Sequence, residues 1–275
     1  DNPRHRYDYR SCFARARQLA NVMQDWGLQQ GDRVATLAWN DYRHLETYYG
    51  AACSGFVCHT VNPRLFPEQI VYIINHAEDR YVFLDPDFWP LIETIADQCP
   101  LVEGWVIMTT PEHMPDCDRG DVYCYETLLA TQNDTFTWPD LDEQVACSLC
   151  YTSGTTGRSK GAMLTQENLL SNAETLKDYW KFDDQDVLLH ALPIFHTHGL
   201  FVASNVILLA GGSMIFLNKF DLDEVIESLP RATTMMGVPT FYVRLLEDKR
   251  LTSELTNHIR LFISGSVPLL SETHI

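Results

Sequence analysis

A chain of 275 residues with 45% apolar content can bury one large core or two smaller ones. Its formal net charge of −17, with five lysines against 37 acids, excludes nucleic acid as a partner of the surface as a whole, so an anionic ligand needs basic groups placed locally. Eight scattered cysteines and no signal peptide read as reduced, mostly buried thiols of a cytoplasmic protein. The chain opens at Asp1 and stops at Ile275 within a pattern, and it is expected to be part of a longer protein.

In chain order, Phe13, Ala16, Leu19, Ala20, Met23 and Trp26 recur at helical spacing and predict a helix over 11–26, stopped by Gly27. Strand and helix then alternate: strand 34–39, helix 41–53, strand 57–61, and helix 67–75 with Pro67 in its first turn. Strand 81–84, helix 87–98 and strand 105–108 follow, then a surface loop over 110–122, rich in Pro, Asp and Gly, and a short helix 125–131. Polar residues 132–143 precede an apolar run, Val145 to Leu149. Further on come helix 165–181, strand 187–192, helix 198–209, strand 213–217, helix 221–229, strand 233–238, helix 239–247 and strand 261–264. The alternation predicts an α/β fold of parallel sheets covered by helices, in two subdomains, 1–144 and 145–275. The uncharged stretch 199–217 approaches bilayer length, but Gly211-Gly212-Ser213 breaks it and Pro193 with three histidines precedes it, so no transmembrane segment is expected.

The stretch from Tyr151 to Gly161 carries the chemistry. Gly154, Gly157 and Gly161 let backbone N–H groups turn toward an anion, Thr152, Ser153, Thr155 and Thr156 add hydroxyl donors, and Lys160 adds a point charge. It is not a Walker A loop, because Gly161 follows Lys160. A helix from about Thr165 is expected to place its positive end nearby. Cys147-x-x-Cys150, just before the loop, reads as two small buried side chains, since no second pair completes a zinc site.

Three later segments stand out. His196 and His198 follow a predicted strand, where ligands bind in open α/β sheets; they either line a pocket or cap the next helix. Gly237, before Pro239, allows close approach of a ligand. A strand runs into Gly265-Ser266-Val267-Pro268, whose backbone can bond a planar base.

Thr152-Ser-Gly-Thr-Thr-Gly-x-x-Lys160-Gly161 resembles the phosphate loop of the adenylate-forming enzymes, the AMP-dependent synthetase and ligase family that includes acyl-CoA synthetases, adenylation domains and luciferases; Ser159 stands where proline is usual. Residues 33–85 are similar to medium-chain fatty acyl-CoA synthetases and the methylmercaptopropionate enzymes, and residues 151–275 to malonyl-CoA synthetases. Gln166 stands where many relatives carry His. The resemblance implies the large N-terminal domain of that fold, incomplete here, and an ATP-dependent carboxylate–CoA ligase working through an acyl-AMP. Its implied substrates are ATP, CoA and malonate or a related short carboxylate, with a medium-chain fatty acid as the alternative. It further implies Lys160 and His196 as catalytic residues and the loop residues Thr152 to Gly157 as nucleotide ligands, with Mg²⁺ bridging the phosphates at Thr156. Gly265, Ser266, Val267 and Pro268 would contact adenine, and His196, His198 and Gly237 the acyl group. Arg244 is a candidate partner for a second carboxylate, set against a solvated helix position. The Mg²⁺-binding Glu, the ribose-binding Asp and the C-terminal domain would lie downstream, so this piece alone is expected to turn over poorly. A domain that loads a carrier protein and a non-catalytic remnant are the other classes considered.

Overall fold

The computed structural model describes residues 5–152 and 158–268. Its elements are α1 (Tyr9–Asp25), β1 (Arg33–Leu37), α2 (Tyr42–Cys53), β2 (Val57–Thr60), α3 (Pro67–Ala77), β3 (Asp79–Leu84), α4 (Trp89–Ile95), β4 (Gly104–Ile107), β5 (Val122–Cys124), α5 (Tyr125–Ala130), β6 (Ala146–Thr152) and β7 (Lys160–Thr165). There follow α6 (Gln166–Trp180), β8 (Val187–His190), a π-helical stretch His198–Ser204 that continues as α7 (Asn205–Leu209), β9 (Ser213–Phe216), α8 (Leu222–Ser228), β10 (Thr234–Gly237), α9 (Pro239–Leu246), α10 (Ser253–Thr256) and β11 (Leu261–Ser264).

Local chemistry sets most of these boundaries. Asp8 Oδ1 accepts from Ser11 N at 2.8 Å and caps α1; Asp41 Oδ1 does the same for Arg43 N at 2.8 Å at the start of α2. Pro67 and Pro239 sit in the first turns of α3 and α9, where a missing N–H costs nothing. Glu78, at φ 54°, ends α3 in the left-handed region.

The chain divides into two compact units, Asp1–Glu167 and Asn168–Ile275. The first holds a seven-stranded sheet in the order β5-β4-β3-β1-β2-β6-β7, parallel except for β7. The second holds a four-stranded parallel sheet, β11-β10-β8-β9. The expected boundary at 144 is corrected: β6 pairs in parallel with β2 (Cys58↔Ser148, Thr60↔Cys150), so the strand leading to the phosphate segment belongs to the first sheet rather than opening the second, and the first unit runs on to Glu167. The strands are buried along nearly their whole length in β1, β2, β3, β4 and β10, which explains their continuous apolar runs. One core packs Ile70, Ile73 and Ile74 of α3 against Val82, Leu84, Trp105 and Ile107. In the second unit Ala203, Val206 and Ile207 pack on Leu188 and Met236. Among the described residues no helix is long and apolar enough to cross a membrane.

Candidate active site

One candidate site is the loop end of the β6–β7 hairpin. In the antiparallel register Thr152 stands opposite Lys160, so a hydroxyl and an ammonium share one face at the hairpin mouth. Both are exposed to an incoming anion. Ser153, Gly154, Thr155, Thr156 and Gly157, with the nucleotide and Mg²⁺ roles expected of them, lie outside the described residues. Among the described residues no group of three His, Cys, Asp or Glu could hold a metal ion.

One expectation about this segment is overturned. The helix expected from about Thr165 is present as α6, but β7 stands between it and the phosphate segment: α6 begins at Gln166, a full strand length, about 20 Å, from Lys160. Its first N–H groups are already used, Gln166 N donating to Val145 O at 3.1 Å and Glu167 N to Glu143 O at 2.9 Å. The positive end of a helix therefore adds nothing at Lys160. Gln166 instead braces the first unit, its Nε2 donating to Ala52 O at 2.8 Å. Cys147 and Cys150 are free and buried, and burial pushes the Cys147 thiol up to about 12, which keeps it a thiol.

Sequence reasoning missed what surrounds the hairpin mouth. The Tyr151 hydroxyl and His76 Nδ1 share a hydrogen bond of 2.6 Å, the His59 ring lies 5.0 Å from that of Tyr151, and the Arg158 guanidinium sits 5.3 Å from the Tyr72 centroid. The available signal was the four-residue spacing of Tyr72 and His76, but the predicted helix stopped at residue 75, one short of the histidine, whereas α3 runs on to Ala77. Asp85 was also missed. It ends β3 beside β1, where the strand order reverses, and its Oδ2 accepts from Trp39 N at 2.7 Å. Burial, with Asp41 and Asp87 nearby, raises its carboxyl to about 7.

A second candidate site lies in the other unit. Beyond β8, a cavity of about 340 Å³ is lined by Leu192, Pro193, His196, Thr197, His198, Gly199, Val238 and Ser266. It joins three of the four segments singled out in the sequence. His198 Nδ1 and Ser266 Oγ share a hydrogen bond of 3.1 Å across 68 positions. Gly265 makes this contact fit, since a Cβ there would come within 2.9 Å of His198 Cε1. Ser266 holds φ 73°, a left-handed conformation that a non-glycine residue adopts at a cost. Burial lowers the His198 pKa, so the ring is neutral at pH 7. His196 is exposed at the rim, its ring 4.6 Å from that of Phe195.

The turn behind the cavity explains the π-helical stretch. The Gly199 carbonyl accepts from Ser204 Oγ at 3.0 Å and from His190 Nε2 at 2.9 Å, while Asn205 N reaches back five residues to Leu200 O. Side-chain donors thus replace part of the ordinary helical ladder. Gly237 is buried under the rings of Phe241 and Tyr242, each 3.2 Å from where its Cβ would be, and Val238 rather than Gly237 faces the cavity. Arg244 is not brought to the cavity: it is exposed on α9, with its guanidinium 5.0 Å from the Phe220 centroid. Val267 and Pro268 are exposed beyond Ser266.

The fold is thus an α/β one, with a mostly parallel sheet in the first unit and a parallel sheet in the second whose strand ends gather His, Gly and Ser. The AMP-binding enzyme family matches residues 2–274, and the chain belongs to that family. It is 42% identical over 258 residues to the 3-methylmercaptopropionyl-CoA ligase of Ruegeria pomeroyi, covering 91% of this chain and 48% of that protein. With the medium-chain-fatty-acid–CoA ligase of Ectopseudomonas oleovorans the identity is 43% over 195 residues, 69% of this chain and 36% of that one. The ATP-bound structure of MatB from Rhodopseudomonas palustris superposes with a TM-score of 0.85 at 46% identity, covering 97% of this chain and 51% of that chain. The chain thus spans about half the length of the curated relatives it matches.

Proposed function

We propose that the protein containing this chain is an ATP-dependent acyl-CoA ligase, joining a carboxylate to ATP with loss of pyrophosphate and then passing the acyl group to CoA. The family match across residues 2–274, with relatives named as CoA ligases, is the observation that carries this reading. A carboxylate is ionised at neutral pH, so the first step asks for no general base; it asks for in-line positioning and for neutralisation of the phosphates. Thr152 and Lys160, facing each other across the hairpin mouth, suit that task, with Ser153, Thr155 and Thr156 as further donors. Mg²⁺, bound with the nucleotide, supplies charge neutralisation on phosphate oxygens. Gly265 and Ser266 serve the adenine, and His196 and His198 the acyl group.

The acid is a monocarboxylate of short or medium chain. The cavity walls at Leu192, Pro193 and Val238 are apolar, its His198 is neutral, and no Lys or Arg lines it among the described residues. Two of the relatives above, a 3-methylmercaptopropionyl-CoA ligase and a medium-chain-fatty-acid–CoA ligase, are named for monocarboxylates and support the same reading. Malonate is the second reading, favoured by the likeness of residues 151–275 to malonyl-CoA synthetases and by the 46% identity to MatB.

Pyrophosphate release by the complete protein, with 3-methylmercaptopropionate, octanoate and malonate side by side, tests both readings. Release with either monocarboxylate and not malonate is the expected result; release with malonate alone rejects the monocarboxylate. Lys160→Ala should lower kcat/KM for ATP about 10- to 100-fold, the worth of one charge-assisted hydrogen bond, and leave Tm unchanged because Lys160 is exposed.

A further inference from the structure

The tip of the β6–β7 hairpin lacks the usual means of staying in place. Lys160, Gly161, Ala162 and Met163 of β7 are all exposed, and β7 is an edge strand, so burial does not hold them. Beyond the ladder with β6, what holds the tip comes from α3. Tyr72 and His76 lie one turn apart on one face of that helix, ring centroids 5.3 Å apart. His76 Nδ1 shares its 2.6 Å hydrogen bond with the hydroxyl of Tyr151, the residue before Thr152. Tyr72 takes the Arg158 guanidinium over its ring at 5.3 Å, two residues before Lys160. The same helical turn therefore grips the last residue entering the phosphate segment and the first described residue leaving it.

The grip has a firm base. Ile70, Ile73, Ile74 and Ala77 bury the opposite face of α3 in the first sheet's core. From the other side Tyr151 meets His59, whose Nδ1 is 2.7 Å from Asp79 Oδ2, both side chains fully buried. That buried hydrogen bond fixes the ring on which Tyr151 rests. Gly161 leaves room for that tyrosine, because a Cβ would come within 3.1 Å of its ring.

We propose that α3 clamps the mouth of the hairpin, with Tyr72 and His76 as positioning residues that set the separation and aim of Thr152 and Lys160 toward the ATP phosphates. The role in ATP binding rests on the ligase reading above; the clamp itself does not. The test uses the complete protein and the variants Tyr72→Leu, His76→Ala, their double, and the conservative Tyr72→Phe and His76→Gln. Hydrogen exchange followed by mass spectrometry reads the backbone of residues 158–161, and pyrophosphate release reads KM for ATP and for the acid.

Exchange at 158–161 should speed up about 3- to 10-fold in Tyr72→Leu and His76→Ala, with exchange in β1–β4 unchanged. KM for ATP should rise by a similar factor and KM for the acid stay level, while Tyr72→Phe and His76→Gln recover most of both. Unchanged exchange at 158–161 overturns the clamp, as does a rise in the KM for the acid equal to that for ATP. Faster exchange in a protein whose wild type releases no pyrophosphate with any acid keeps the clamp and rejects the ligase reading.

Discussion

At the scale of single residues, glycines in this chain differ by what stands where their Cβ would be. At Gly199 a Cβ would lie 2.2 Å from the Pro193 carbonyl oxygen and 2.7 Å from its carbon, both backbone atoms of the turn that shapes the cavity. Nothing flexible can give way. At Gly237 the nearest atoms are ring edges of Phe241 and Tyr242 at 3.2 Å, which rotate or shift by tenths of an ångström. Gly199→Ala should therefore destabilise by about 3 kcal/mol and Gly237→Ala by about 1 kcal/mol or less. Urea unfolding of the two variants checks this order, and equal losses would mean that the turn at 193–199 relaxes. In the sequence Gly199 is the second residue of a predicted helix and Gly237 stands just before another; which of them meets backbone is a fact of long-range packing.

At the scale of elements, helices with an apolar stripe and strands buried on both faces were legible because their periodicity is local. The α/β class, the parallel sheets, and β11 at residues 261–264 follow from it directly. β7 was not legible: the exposed Lys160 to Met163 have no buried face to impose alternation, and pairing with β6 makes them a strand. β5, three half-buried residues at the end of an acidic, proline-containing loop, owes its form to β4 in the same way. The candidate site divides similarly, since His198, Gly265 and Ser266 were each visible as motif residues while their contact was not.

A further element-level device was hidden altogether. Arg260, just before β11, donates to Asp186 Oδ1 at 2.8 Å and Oδ2 at 2.5 Å and to the carbonyls of Trp180 at 2.9 Å and Lys181 at 3.1 Å. Asp186 also accepts from Thr233 Oγ1 at 2.7 Å, so one carboxylate ties the starts of β8, β10 and β11 together. The guanidinium heads the groups that hold the Asp186 carboxyl below its usual range against the opposing effect of burial. With Arg260 in place the Asp186 side chain is only 4% exposed, and removing the arginine takes away two of the four hydrogen bonds to its carboxylate. Arg260→Ala should cost about 2 to 3 kcal/mol and speed hydrogen exchange in β8, β10 and β11. Arg260→Lys should rescue little, because an ammonium cannot reproduce the two-pronged fork. Exchange left unchanged in those strands would show the clamp to be dispensable.

At the scale of the whole molecule, each of the two units buries a neutral imidazole, and this gives the protein a built-in acid sensitivity. His44, in α2, contacts the Trp39 carbonyl through Nδ1 at 2.9 Å and Thr36 Oγ1 through Nε2 at 2.8 Å; His190, at the end of β8, spends Nε2 on the Gly199 carbonyl, and its buried Nδ1 has no partner. A carbonyl only accepts, so each ring carries its proton on the nitrogen facing that carbonyl; the second nitrogen of His44 meets only a hydroxyl, and that of His190 meets no partner. Burial accordingly lowers both from 6.5 to about 4. Between those values the unfolded chain binds a proton that the folded chain does not, so stability is full above pH 6.5 and is lost as pH falls toward 4. Asp85, raised from 3.8 to about 7 by burial, acts in the opposite sense: its folded form holds the proton, and the stability it contributes is lost as pH rises from 3.8 to 7. The net charge of −17 also relaxes toward zero as pH nears the pI of about 4.8, but that change is common to wild type and variants and cancels in their difference. His190→Gln, which keeps a donor for Gly199, should therefore be less stable than wild type at pH 7, with the gap narrowing by at most about 1.4 kcal/mol per pH unit between 6.5 and 4. Asp85→Asn should show the reverse trend, matching wild type below pH 4 and gaining on it as pH rises to 7. Urea midpoints at pH 5, 6 and 7 separate the two trends, and parallel curves for wild type and His190→Gln would mean that His190 takes up its proton without leaving the fold.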